Sequence, residues 1–241
     1  MMKKPEISLI ALLALCLAVF AGCAPRYNLL YTNPSPGAMN QGDIAVEVVN
    51  QRAGDKGGAN PFLLGHVRNA FGVPIRKLIA REDREPAALI KTMVSECLAN
   101  AGYRPVEPTA GIPKITVALT SFWCDGYMNY TMTVNANMTL ANADGSGATW
   151  ADTLVAVGNR TIIMHEKELE NGFQMMLNNA VSQLIQKFQS QQFTNALALL
   201  SAPAPAPTPP APAPAPTPPA ETPPAETPPA ETSPAPTPPS Q

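Results

Sequence analysis

The chain has 241 residues, 28 of them proline, with 14% charged, 6% aromatic and a formal net charge of −2. So weak a charge gives no electrostatic ground for nucleic-acid binding, which needs clustered cations against phosphate. Four cysteines are too few for a disulfide scaffold, and 18 of the prolines fall between Pro203 and Pro239, so that stretch cannot join a packed core.

Residues 1–22 read as a signal peptide. Lys3 and Lys4 form a positive start, "ISLIALLALCLAVF" an apolar run of 14 residues, and "AG" the small residues before a cut. Fourteen helical residues rise about 21 Å, short of the ~30 Å hydrocarbon core that a permanent span must cross. "FAGC" resembles the lipobox of bacterial lipoprotein signals, with Phe20 where Leu is commoner. That resemblance implies a thioether-linked diacylglycerol on Cys23, cleavage just before it and acylation of the new amino group. One acyl chain binds a membrane marginally and two or more hold it durably. Position +2 is Ala24, not the Asp that resembles an inner-membrane retention signal, so the outer membrane is expected.

The mature chain begins with a proline- and asparagine-punctuated segment, 23–42, expected to run extended as a tether. "DIAVEVVNQR" alternates as a strand, three glycines in "AGDKGGAN" break it, and one or two short strands are expected near 63–68 and 75–80 around "AFG". A helix follows, with Pro86 suited to its first turn and Gly102 to its C′ position. Leu89, Met93, Cys97 and Leu98 lie on its apolar stripe.

Three strands come next. "KITVALTSFWC" places Ile115, Val117, Leu119 and Trp123 on one face, and "YTMTVNANMTL" sets Met132, Val134, Ala136, Met138 and Leu140 inward against Thr and Asn. "ATWADTLVAVGNRTII" is the third, and the intervening Asp-Gly turns predict an antiparallel meander. A long helix is expected from His165 to Leu200, its stripe running from Leu169 through Phe173, Leu177 and Leu184 to Phe188.

The expected fold over 43–200 is therefore α+β in two layers: an antiparallel sheet of a strand, a short hairpin and a three-strand meander, with two helices on one face. The tail, 201–241, repeats "APAPAPTPP" in tandem and then "AETPP". It reads as a disordered, polyproline-II-rich extension, at about 3.1 Å per residue, with a spacer through peptidoglycan or a ligand for a proline-recognising partner as the alternatives.

No catalytic set emerges. His66 and His165 are the only histidines, and neither sits in a triad pattern. Glu166, Glu168 and Glu170 suit a helix N-terminus rather than a metal, and "GDKGGAN" lacks the ending of a phosphate loop. No catalytic, cofactor or metal residues are assigned. An oxidising compartment permits a Cys97–Cys124 disulfide, with two buried free thiols as the alternative. Phe62, Leu63, Leu64 and Phe71, flanked by glycines, form a candidate apolar binding surface, with core filling as the alternative.

"IAVEVVNQR", "LLGHVRNAFG", a helix ending "CLANAGYRP" and "ITVALTSF" together resemble the YajG-like bacterial lipoproteins, over about residues 16–195 and without the proline tail. The resemblance implies an envelope lipoprotein and brings no catalytic residues. The expected function is thus a non-enzymatic outer-membrane lipoprotein, without cofactor, anchored through Cys23 and facing the periplasm. Its domain would bind an envelope protein or a peptidoglycan-associated partner. Two alternatives stand beside it: an accessory subunit of an envelope transporter or cell-wall machine, and a small-ligand or lipid carrier.

Overall fold

The computed structural model describes residues 25–126, 129–161 and 166–201. The signal segment, Cys23, His165 and the proline-rich tail lie outside the described residues. Eight strands and three helices follow in the order β1 (Arg26–Tyr27), β2 (Asp43–Asn50), β3 (Leu63–Arg68), β4 (Pro74–Ala80), α1 (Pro86–Asn100), β5 (Arg104–Val106), β6 (Lys114–Gly126), β7 (Asn129–Ala141), β8 (Trp150–Thr161), α2 (Glu166–Phe188) and α3 (Gln191–Ser201). The class is α+β, as expected, and β6, β7 and β8 form the antiparallel meander.

The rest of the sheet is mixed, because the free edge of β6 is shared by two strands. β2 runs parallel to its first half, from Ala45 against Lys114 to Asn50 against Leu119. β3 runs parallel to its last residues, from Gly65 against Cys124 to Val67 against Gly126. β5 flanks β2 in parallel, while β4 pairs antiparallel with β3 and carries the two-residue β1 on its outer edge. Gly65 is needed at the handover, since a Cβ there would stand 1.9 Å from the Cys124 carbonyl oxygen.

Between β2 and β3 the chain leaves the sheet for residues 51–62, and Arg52 closes this excursion. It is the only charged side chain buried among the described residues. Its guanidinium donates to Asn50 Oδ1 (3.0 Å), Leu63 O (3.0 Å) and Pro61 O (2.7 Å). A planar fork of donors suits three divergent acceptors, and Arg keeps its charge although burial lowers its pKa.

β6 carries an irregularity between Leu119 and Ser121. The extra residue, Thr120, reverses the alternation, so Ile115, Val117 and Leu119 face the core before it and Phe122 and Cys124 after it. Trp123, expected on the core face, is consequently turned outward, where His66 meets it edge-on at 5.3 Å.

All three helices lie over one face. α1 ends in a Schellman arrangement: Gly102, with φ +95°, donates from its N–H to Ala99 O, and Tyr103 N–H donates to Leu98 O. The single long helix expected to Leu200 is divided at Ser190, whose Oγ accepts from Phe193 N–H and so starts α3. Phe193 then packs among Trp150, Phe188 and Tyr103.

On α2, Asn179 and Gln183 donate to the outer carbonyls of Val157 and Val155, and Lys187 pairs with Asp152 at 2.7 Å. These side chains, one helical turn apart, occupy the edge of β8 that would otherwise be open to pairing.

The segment expected to run extended as a tether is, among the described residues, part of the fold from Arg26 on. Tyr27 and Leu29 are fully buried. Asn28 N–H donates to Glu170 Oε1, Thr32 N–H to Asn178 Oδ1, and Gly37 N–H to Ala99 O. Apolar residues at 27, 29 and 31 lay this strap across the helices; proline and asparagine punctuation had hidden that alternation.

Candidate functional site

Strand directions define two poles. β2, β3 and β6 run in parallel toward the turn that joins β3 to β4, and β4 and β1 run back from it. The turn therefore forms one pole. The starts of β2 and β6 and the end of α3 form the other, where Ala45, Lys114, Asp144, Leu200 and the loop 108–113 border an open groove of about 590 Å³. Small and apolar residues line most of that groove; of its polar residues, Lys114 is paired with Glu47 at 2.8 Å and Asp144 accepts from Ser146.

At the first pole the hairpin tip is apolar and outward. Phe71 is 89% exposed, Ile75 63% and Val73 54%. Much of its main chain is nevertheless bonded within the turn. Asn69 Oδ1 accepts from both Phe71 N–H and Val73 N–H at 3.0 Å, Gly72 N–H donates to Asn69 O, and Asn69 N–H donates to Val73 O. Arg68 Nη1 donates to Gly72 O at 2.9 Å while its Nε holds Asp125 at 2.7 Å. The tip is thus an Asn-braced turn carrying exposed apolar side chains.

Cations ring its base. Residues 63–80 hold Arg68, Arg76 and Lys77 and no carboxylate. Arg76 donates to the Tyr27 hydroxyl of the strap, and Arg26 pairs with Glu82 at 2.7 Å. His66 lies on the same hairpin; burial, then Arg68 and Lys77, lower its pKa, so it is neutral near pH 7.

The four residues of the candidate apolar surface part company here. Leu63 and Leu64 are buried in the core, Phe62 packs half-buried against it, and Phe71 alone of the four is at the tip. They form no common groove, because a β-bulge between Leu63 and Gly65 turns both leucines inward. The tip residues missed by sequence reading are Val73 and Ile75. Their signal was present in "VPIRK", where apolar residues alternate beside two cations.

Cys97 and Cys124 are free and buried. Cys97 Sγ points at Val181 O on α2, 3.9 Å away, whereas Cys124 sits on β6 between Gly65 and Met132. Burial pushes each thiol up to about 12, so both remain protonated and unreactive in the fold. Among the described residues, no group of three or more His, Cys, Asp or Glu could hold a metal ion. None of the helices described is long and apolar enough to cross a membrane.

No family model matches the chain, and no curated protein does. Among solved structures, the chain shares its fold with a Xanthomonas campestris protein of the DUF330 family model, at TM-score 0.50 and 12% identity, over 70% of this chain and 95% of that one. Two more distant matches are bacterial lipoproteins. A minor lipoprotein from Acinetobacter baumannii matches at TM-score 0.36 and 10% identity, over 61% of this chain and 91% of that one. Lipoprotein GNA1162 from Neisseria meningitidis matches at TM-score 0.24 and 14% identity, over 61% and 98%. At 12% identity the first of these likenesses concerns the fold alone.

Proposed function

We propose that the chain is a non-enzymatic lipoprotein of the outer membrane, held by acyl chains on Cys23, whose α+β domain binds a partner in the cell envelope. One observation carries the reading: a lipobox cysteine stands only four residues before Tyr27, the first buried side chain of the fold. A plain secretory signal has no use for a cysteine at that position, whereas a lipid anchor needs one there. The absence of a catalytic pattern in the sequence supports a binding role. No specific observation favours a ligand carrier, since the apolar residues invoked for one are divided between core and tip.

Labelled palmitate is expected to enter the wild type and not Cys23→Ala; incorporation into both would remove the anchor. Crosslinking in intact cells, followed by identification of the adducts, tests the partner. Recovery of envelope proteins or peptidoglycan fragments agrees with the reading, and recovery of none at saturating crosslinker contradicts it.

A further inference from the structure

We propose that the β3–β4 hairpin tip is a second membrane contact: Phe71, Val73 and Ile75 enter the leaflet that holds the acyl chains, and Arg68, Arg76 and Lys77 meet its anionic headgroups. The inference rests on the Cys23 anchor proposed above.

Chain geometry leads to it. Cys23 is three residues before Arg26, and three residues span at most about 11 Å. Arg26 lies against Ile79 in a parallel pairing, so β1 enters the sheet from the side of the hairpin tip. From Ile79 back to Ile75 is four strand residues, about 13 Å. Chain length therefore limits the attachment point to about 11 Å from Arg26, on the strand edge that leads back to the apolar tip. Because the strap is packed from Tyr27 onward, no long leash lets the domain drift away from the bilayer.

The chemistry of the tip fits that occupant. A loop entering low dielectric gains from a main chain that is already bonded, and Asn69 and Arg68 bond the Phe71 and Val73 N–H groups and the Gly72 carbonyl from within the turn. Apolar side chains at the apex with Arg and Lys behind them are the arrangement that interfacial anchoring requires. Asp125 is paired with Arg68 and offsets its charge, so Lys77, exposed on β4, gains most from an anionic lipid surface.

The test uses the full lipidated chain in vesicles of phosphatidylethanolamine and phosphatidylglycerol, 3:1, a portion of the lipids carrying brominated acyl chains. Tryptophan emission of Phe71→Trp is compared with that of Leu199→Trp, a solvent-facing site at the opposite pole, 69% exposed in the native chain. Wild-type emission is subtracted to remove Trp123 and Trp150. The expected result is a blue shift and at least about twofold stronger quenching at position 71 than at 199, as burial in acyl chain dictates. Equal quenching at the two positions would overturn the proposal, as would a blue shift at position 71 without quenching, which points to a protein partner or a second copy. Failure of the anchor shows differently, as a floating fraction that carries no palmitate label.

Discussion

Replacing Arg52 measures how the sheet manages its divided edge. The guanidinium makes three charge-assisted bonds, to Asn50 Oδ1, Leu63 O and Pro61 O, and only the one to Leu63 O is fully enclosed. Such bonds contribute about 1.5–3 kcal/mol each, but acceptors near the surface recover water when the donor goes. Arg52→Met therefore costs about 3–4 kcal/mol, most of it from the orphaned Leu63 carbonyl and the loosened loop. Arg52→Lys keeps the charge and one bond, and costs about 2 kcal/mol, because a point donor cannot serve three divergent acceptors. Urea unfolding of the full mature chain carrying Cys23→Ala gives the value. With a slope of about 1–3 kcal/mol per molar, the Met variant moves the midpoint by at least about 1 M. Amide exchange should accelerate in β3 and β4 more than in β7 and β8, since the loop closed by Arg52 delivers β3 to its place. Both variants within about 0.5 kcal/mol of the parent would refute the reasoning, showing that water serves those carbonyls equally well.

Asn179→Ala with Gln183→Ala uncovers the Val155 and Val157 carbonyls and costs about 1–2 kcal/mol; the exposed β8 edge then promotes self-association, read by light scattering across concentration. Deletion of Thr120 removes the bulge and leaves Leu119, Phe122 and Cys124 at regular two-residue spacing on the core face, so cooperative urea unfolding is expected to persist, as it is in Thr120→Ala; loss of cooperativity on deletion would show that the bulge itself is required. The thiols of Cys97 and Cys124 should resist a disulfide reagent at pH 8 until denaturant is added. Their folded values near 12 lie above the unfolded thiol value of about 8.5, so the stability they hold is intact below that pH and is lost as pH rises toward 12. Tyr31 and Tyr130, raised by burial, share this alkaline loss, so the cysteine part is the difference in slope against Cys97→Ala with Cys124→Ala.

Sequence by itself determined the elements whose signals are local. The Thr/Asn alternation of β7, the Pro86 start and Gly102 stop of α1, and the apolar stripe of α2 are periodicities and caps that need no partner to be read. Tertiary structure decided what depends on neighbours. A bulge of one residue at Thr120 exchanged Trp123 for Phe122 on the core face, and nothing within β6 announces it because both orders are apolar. Parallel pairing of β2 and β3 along one edge of β6 is a long-range choice, as is the packing of residues 27–31 over helices more than sixty positions away. The apolar tip divides in the same way. Sequence supplied Phe71 and the cations beside it, but only the pairing of β1 with β4 shows that Arg26 enters the sheet from the side of that tip, since strand direction is fixed by hydrogen-bond partners rather than by composition.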